Sequence, residues 1–340
     1  MRKHHVISAL FFGSLLLSMA GTAFAVPIIW GTDEDTGHLV KIENYDSGPL
    51  VTDYGKLSIN EGGTIRPFPD TSDDNADIFS DIESFTLNDH GVAFMIGNST
   101  VEFDDGGTFS NPHLYSLRIF NTNGTEAVRA DDAAASNGYN AVQSIGVISL
   151  PTTEGPINGI DFDPISGLLF GAVDNGGRDD LVVINPLTAV ATEIANSMDG
   201  TYDIEDIQFD DQGNLFLIDD DWVTDEITDV DVLHLVTLDR SGTNPSLQSI
   251  EIVNNTGDDY RIEGLAWDFQ NSRLVAFSDE FNSLFQLNTT SDGFTNLGGV
   301  GFNDIEGIDF VPTLTGQPIP EPATFSLLTL GGLMLLRRQR

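Results

Sequence analysis

An all-β chain assembled from one repeated four-stranded unit is predicted by three observations. A short apolar phrase recurs five times, each copy is followed by a turn and further short apolar strands, and no stretch between Val26 and Ile319 holds a helical period. The copies are Ile82-Glu83-Ser84-Phe85-Thr86-Leu87, Ile157-Asn158-Gly159-Ile160-Asp161-Phe162, Ile204-Glu205-Asp206-Ile207-Gln208-Phe209, Ile262-Glu263-Gly264-Leu265-Ala266-Trp267 and Ile305-Glu306-Gly307-Ile308-Asp309-Phe310. Their second residues are separated by 75, 47, 58 and 43 residues. Repeats of roughly 40 to 50 residues with several strands each are a mark of propeller blades.

The elements follow in order. Near the N-terminus, Ile28 to Asp33, His38 to Glu43 and Val51 to Leu57 read as the second, third and fourth strands of a unit whose first strand is missing. Each of the first four phrases is followed by a turn rich in residues that tolerate tight dihedrals, such as Asn88-Asp89-His90-Gly91 and Asp210-Asp211-Gln212-Gly213. Second strands then run over Val92 to Ile96, Leu168 to Val173, Leu215 to Ile218 and Leu274 to Phe277. Third strands cover Leu114 to Phe120, Leu181 to Ile184, Leu233 to Leu238 and Leu284 to Leu287, and fourth strands Val142 to Ile148, Val190 to Ile194, Leu247 to Val253 and Phe294 to Leu297. The fifth phrase is cut off by Pro312, and the three N-terminal strands complete it. The result is a single five-bladed β-propeller whose N- and C-terminal strands share one blade and leave no free edge. A β-sandwich or β-helix is the competing arrangement for such strands.

The predicted organisation is a secretory signal over 1–25, the propeller over 26–311, a linker over 312–319 and a sorting tail over 320–340. The 340 residues include 14 Lys+Arg against 53 Asp+Glu, a formal net charge of −39, with no cysteine and 40% hydrophobic residues. Such an apolar fraction supports a real core. The acidity excludes nucleic acid as a partner, because phosphate backbones need a basic footprint. Without cysteine there is no disulfide scaffold, thiolate nucleophile or Cys-type metal site.

Both ends read as address labels. Arg2 and Lys3, the apolar run Val6 to Met19 and the small-residue ending Ala23-Phe24-Ala25 make a signal that signal peptidase would cleave after Ala25. At the other end stand Pro320-Glu321-Pro322, an uncharged run from Ala323 to Leu336, and the basic end Arg337-Arg338-Gln339-Arg340. This tail resembles the PEP-CTERM sorting signal of Gram-negative bacteria. The resemblance implies processing near Pro320, Glu321 and Pro322 by an exosortase-type membrane enzyme, and association with exopolysaccharide and the cell surface. The run is short for a spanning helix, which usually takes about 20 apolar residues, so a transient inner-membrane anchor is expected. Arg337, Arg338 and Arg340 would stay cytoplasmic, leaving the body outside the inner membrane. Without both labels the body keeps nine cations and 52 anions, a net of −43.

In a propeller the inner strand starts at the face to which the second strand returns, so two residue sets meet at one channel mouth. Glu83, Asn158, Glu205, Glu263 and Glu306 form the first, with Asp81, Asp203 and Asp304 two positions earlier; Asp33, Asn98, Asp174, Asp219 and Asp279 form the second. Carboxylates confined together raise one another's pKa, and Ca²⁺, which takes oxygen ligands, would relieve the conflict. Glu83, Glu205, Glu263, Glu306, Asp219 and Asp279 are the candidate metal ligands. The I-E-G-I/L-x-F/W phrases at Glu263 and Glu306 resemble inner strands of calcium-dependent propeller hydrolases of the phytase-like and gluconolactonase-like groups, which implies phosphoesterase or lactonase chemistry. Yet no nucleophile and base pair can be named: the body holds two lysines, Lys41 and Lys56, no histidine falls in the phrases, and strand parity places Glu306 on the side of Ile308 and Phe310. The competing role for the glutamates is capping backbone donors or binding arginine at strand mouths. The acidic stretches Asp219 to Asp231 and Asp70 to Asp81 lack EF-hand order and read equally as solvated loops. A binding or scaffolding propeller is the preferred expectation.

Overall fold

The computed structural model describes residues 27–33, 37–61, 64–67, 79–102, 108–121, 125–128, 140–150, 155–174, 179–194, 202–220, 230–242, 245–255 and 260–311. The expected signal, linker and tail therefore lie outside the described residues, as do most of both acidic stretches.

Among the described residues, twenty-two strands form five sheets. First come β1 (Ile28–Asp33), β2 (His38–Glu43) and β3 (Leu50–Lys56), then a short hairpin of β4 (Ser58–Glu61) and β5 (Thr64–Pro67). Blade 1 holds β6 (Phe79–Leu87), β7 (Val92–Glu102), β8 (Thr108–Arg118) and β9 (Ala141–Val147). Blade 2 holds β10 (Ile157–Phe162), β11 (Leu169–Val173), β12 (Asp180–Ile184) and β13 (Ala191–Glu193). Blade 3 holds β14 (Ile204–Phe209), β15 (Leu215–Asp220), β16 (Asp231–Asp239) and β17 (Ser246–Asn255). Blade 4 holds β18 (Ile262–Asp268), β19 (Arg273–Ser278), β20 (Ser283–Leu287) and β21 (Phe294–Gly299). The last strand, β22 (Ile305–Phe310), pairs antiparallel with β1, Phe310 opposite Ile29 and Ile308 opposite Gly31. Blade 5 is therefore β22-β1-β2-β3, closed between the two ends of the chain as the sequence predicts. The inner strands touch in a ring: β6 to β10, β10 to β14, β14 to β18, β18 to β22, and β22 back to β6. That ring defines five blades.

The hairpin β4–β5 was not anticipated. Ser58 and Ile59 pair in parallel with Ala141 and Val142 of β9, extending blade 1 to six strands. Its strands are only four residues long, too short for the alternation that marks a half-buried strand.

Turns after the inner strands share one device. Asn88, Asp163, Asp210 and Asp268 each turn a side-chain oxygen onto backbone N–H groups two to four residues ahead. Such Asx turns satisfy the tight reversal into the second strand.

Five apolar clusters fill the five gaps between blades. Residues one, four and six of each phrase enter one cluster together, as Ile204, Ile207 and Phe209 do against Phe170 and Ala172 of the preceding blade. The same holds for Ile82, Phe85 and Leu87, for Ile262, Leu265 and Trp267, for Ile305, Ile308 and Phe310, and for Ile157, Ile160 and Phe162. Each such burial contributes roughly 1.5–3 kcal/mol, so blade contacts hold the ring.

A chain beginning at Ser58 loses β1, β2 and β3, leaves β22 unpaired and uncovers the clusters around Trp30 and Ile42. Its thermal unfolding is expected to lose cooperativity or to fall far below that of the intact body in calorimetry. An unchanged melting temperature would contradict the closure. Gly307 makes a finer test: its φ is +86, and a Cβ there would collide with the backbone N of Phe85 in blade 1. G307A is expected to destabilise by more than 1 kcal/mol in denaturant titration, whereas an unstrained Gly-to-Ala change stabilises.

Candidate functional site

Every inner strand carries the same irregularity. Ile82 pairs with Gly97 and Ser84 with Ile96, so Glu83 has no opposite residue. Asn158, Glu205 and Glu263 are the extra residues of β10, β14 and β18 in the same register. In β22 the extra residue falls between Ile305 and Ile308, where Glu306 and Gly307 face Thr32. A β-bulge puts two residues against one and re-aims a side chain. This corrects the parity expectation: Ile305 shares a cluster with Ile308, three residues on, which strict alternation forbids. The five second residues are thus displaced from the alternating set, and all five are half-buried. Asn158 shows one use of the position, its Nδ2 donating to the carbonyl of Ile204 in the next blade at 3.2 Å.

Where they carry polar side chains, residues three and five of the phrases bond across to a neighbouring blade, most often the following one. Ser84 Oγ accepts from Ile160 N at 2.8 Å, and Asp206 Oδ2 accepts from Leu265 N at 2.6 Å. Asp161 Oδ2 accepts from Phe209 N at 2.6 Å, and Asp309 Oδ2 accepts from Leu87 N at 2.7 Å. Gln208 Nε2 donates back to Asp161 Oδ2 at 2.7 Å. Where position three is Gly159, a Cβ would lie 2.6 Å from Ile207 N, so the strands approach too closely for a side chain. Burial pushes Asp161 up to about 7, against donors that pull it down. Burial likewise drives Asp206 well upward, and the charges of Asp161 and Asp309 add to it. Sequence reading missed this collar because it concentrated on the second position. The available signal was a polar residue at position five between two buried apolar ones.

The candidate metal ligands divide. Asp219 is buried and engaged: His234 Nε2 lies 3.0 Å from its Oδ2, and Asp203 N donates to its Oδ1 at 2.8 Å. Asp279 pairs with Arg261 at 3.0 Å. Glu263 stands in the fields of Arg261, Asp279, Asp304 and Asp231; burial pushes its carboxyl up to about 7, Arg261 pulls it down, and the three aspartates push it further up. Asp203 is raised by burial and by Asp174 and Asp219. Blades 3, 4 and 5 thus share one acidic group around Glu263, and blades 2 and 3 another around Asp203. Glu83, Glu205 and Glu306 occupy the equivalent places in their own blades. Among the described residues no group of three or more His, Asp and Glu side chains is arranged to hold a metal ion.

Aspartates at this mouth also serve the backbone. Asp231 accepts from Tyr260 N at 2.6 Å and Ile262 N at 3.1 Å, and Asp179 accepts from Ile204 N at 2.5 Å. Each ties the third strand of one blade to the inner strand of the next. At the opposite end cations cross between blades. Arg240 Nε reaches Asp163 at 2.7 Å, and Arg273 reaches Asp46 at 3.1 Å and the hydroxyl of Tyr45, which itself donates to Asp268.

No family model matches the chain, and no curated protein matches it. Among solved structures it is similar to an auxiliary nutrient binding protein from Bacteroides thetaiotaomicron, at 12% identity and a TM-score of 0.43, over 82% of this chain and 63% of that one. It is also similar to a putative gluconolactonase, at 13% identity and a TM-score of 0.42, over 83% of this chain and 82% of the other. A third is a putative 6-phosphogluconolactonase from Bacteroides fragilis, at 10% identity and a TM-score of 0.37, over 86% and 99%. The chain thus spans less than two thirds of the first of these. At such identities and TM-scores none of them informs the ligand, and the five-bladed assignment rests on the ring of inner strands.

The raised Glu263 gives a signed prediction. A carboxyl with a folded pKa above its unfolded value contributes stability below the unfolded value and loses it as pH rises through the folded one. E263Q is therefore expected to melt above the unaltered protein at pH 8 and close to it at pH 5. Equal shifts at both pH values would assign the effect to packing.

Proposed function

We propose that the protein is an exported propeller, held at the cell surface or in the extracellular matrix, that binds its ligand at the acidic mouth and is sorted by its PEP-CTERM tail. The observation that carries the binding reading is the bulge repeated in all five blades, which displaces Glu83, Asn158, Glu205, Glu263 and Glu306 from the core-facing set at equivalent places in the ring. The mouth repels anions, so the fitting ligands are cationic: a divalent ion such as Ca²⁺, or a surface polymer bridged by one. For a calcium-dependent hydrolase the nearest acid–base pair is Asp219–His234, but both side chains are buried, which favours binding over turnover.

Two experiments test this. Titrating Ca²⁺ at fixed ionic strength should raise the melting temperature, by an amount equivalent to about 2.7 kcal/mol at a hundredfold excess over Kd, and E263Q with E306Q should reduce the gain. If NaCl or Mg²⁺ reproduces the rise, charge screening explains it and the cation site is lost. Turnover of lactones or phosphate esters that disappears in E263Q would replace binding with hydrolysis. For sorting, deletion of Pro320 to Arg340 should release soluble protein from cells whose intact chain fractionates with membranes or surface polymer. Among the described residues no helix is long and apolar enough to cross a membrane, so equal retention of the truncated chain would point to another anchor.

A further inference from the structure

One bond in the collar cannot be made as drawn with every carboxyl ionised. Thr86 Oγ1 lies 2.8 Å from Asp161 Oδ1 and 3.2 Å from Asp309 Oδ2. A hydroxyl has one hydrogen and can donate to one of them. Asp161 has no room for a proton. Its Oδ1 accepts from Thr86 and from Phe162 N at 2.7 Å, and its Oδ2 accepts from Gln208 Nε2 at 2.7 Å and Phe209 N at 2.6 Å. Those four donors fill the four lone-pair sites of an ionised carboxylate. Asp309 takes backbone donors from Leu87 and Phe310, which leaves it a site to spare. With Asp309 ionised, its Oδ2 would face the lone pairs of the Thr86 hydroxyl in a dry interior, an unfavourable contact.

The geometry points to a proton kept on Asp309 in the folded protein, donated to Thr86 Oγ1, which in turn donates to ionised Asp161, so that blades 5, 1 and 2 are joined by one directional relay. The groups facing it agree. All three side chains are at most 4% exposed, so water does not replace the missing donor. Asp206 of β14 adds a further buried carboxyl beside both aspartates, β18 contributes Gly264 and Ala266 at the equivalent positions, and the nearby Asp163 is met by Arg240 at 2.7 Å. Negative charge accumulates around Asp309 with no buried cation beside it among the described residues, and burial raises its pKa well above the ordinary range.

The relay makes closure of the ring depend on pH. Asp309 is protonated when folded and ionised when unfolded near neutrality, so folding takes up one proton. Its contribution is complete below the unfolded pKa and is lost as pH rises through the folded value. The test compares the unaltered full-length protein with D309N and D161N in urea titrations from pH 6 to 9. In D309N the amide oxygen can keep the bond from Leu87 N, but the Thr86 contact falls on that same oxygen and is lost, so the variant removes the titrating proton at a cost that does not depend on pH. The unfolding equilibrium constant of the unaltered protein is expected to rise by about tenfold per pH unit relative to D309N over this range. D161N, which turns an amide toward four donors, should be destabilised at every pH. Infrared difference spectra of the unaltered protein at pH 7 should show the carbonyl band of a protonated carboxyl that D309N lacks, a readout that holds even where D161N fails to fold. Parallel pH slopes for D309N and the unaltered protein, absence of that band, or a benign D161N would overturn the assignment.

Discussion

The structure depends on what happens to the inward edges of five strands that lie side by side without a backbone ladder between them. β6, β10, β14, β18 and β22 belong to five different sheets, each paired on one side only. Their inward N–H groups are buried, and an unpaired buried donor costs on the order of 1–3 kcal/mol. The phrase answers with its own side chains: position three or five of one strand accepts from position four or six of the next, as Ser84 does from Ile160 and Asp161 from Phe209. Where position three is glycine, the strands come too close for any side chain, and the amide of the following blade turns to the residue before it, as Ile207 N does to Asp206 Oδ1 at 2.7 Å. Small or acidic residues at these positions are therefore a consequence of ring geometry.

The bulge follows from the same constraint. Positions four and six must face the preceding blade to fill the apolar gap, while three and five must face the following one. Position one also packs backward, as Ile157 does beside Ile160. An extra residue between one and three is the way to have both, and it falls near the start of each inner strand. The displaced second position, glutamate in four blades and Asn158 in the other, is thus a product of the packing solution, and the structure repeats it five times because each blade solves the same problem.

The propeller, its closure and most strand positions were legible in the sequence because the repeat is spaced in whole blades and Pro312 truncates the last copy. The bulge was legible in principle: apolar residues at one, four and six, as in Ile305, Ile308 and Phe310, fit neither a period of two nor a helix. Parity was applied across the whole phrase instead, and it misplaced Glu306. The collar was hidden for a different reason. Asp161 and Asp309 look like surface residues in a chain with 53 acidic side chains, and only the approach of neighbouring blades makes them interior. The engagement of Asp219 by His234, fifteen residues away on the adjacent strand, likewise depended on the register of β15 against β16.

Three populations of carboxylate can then be separated by what balances them. At the far end of the inner strands, Asp163 and Asp268 meet Arg240 and Arg273. Around the axis, Asp161, Asp206 and Asp309 are balanced by backbone amides, Thr86 and Gln208 rather than by cations. At the mouth, Glu263 shares Arg261 with Asp279 while Asp304 and Asp231 press on it from neighbouring elements. The first two arrangements are closed, since their buried acceptors are met by donors within the protein and, at Asp309, by the proposed proton. The third is electrostatically crowded, and crowding is relieved by a proton or by a cation from solution. For that reason the ligand binding we propose is assigned to the mouth, while the buried aspartates, chemically the same group, belong to the architecture.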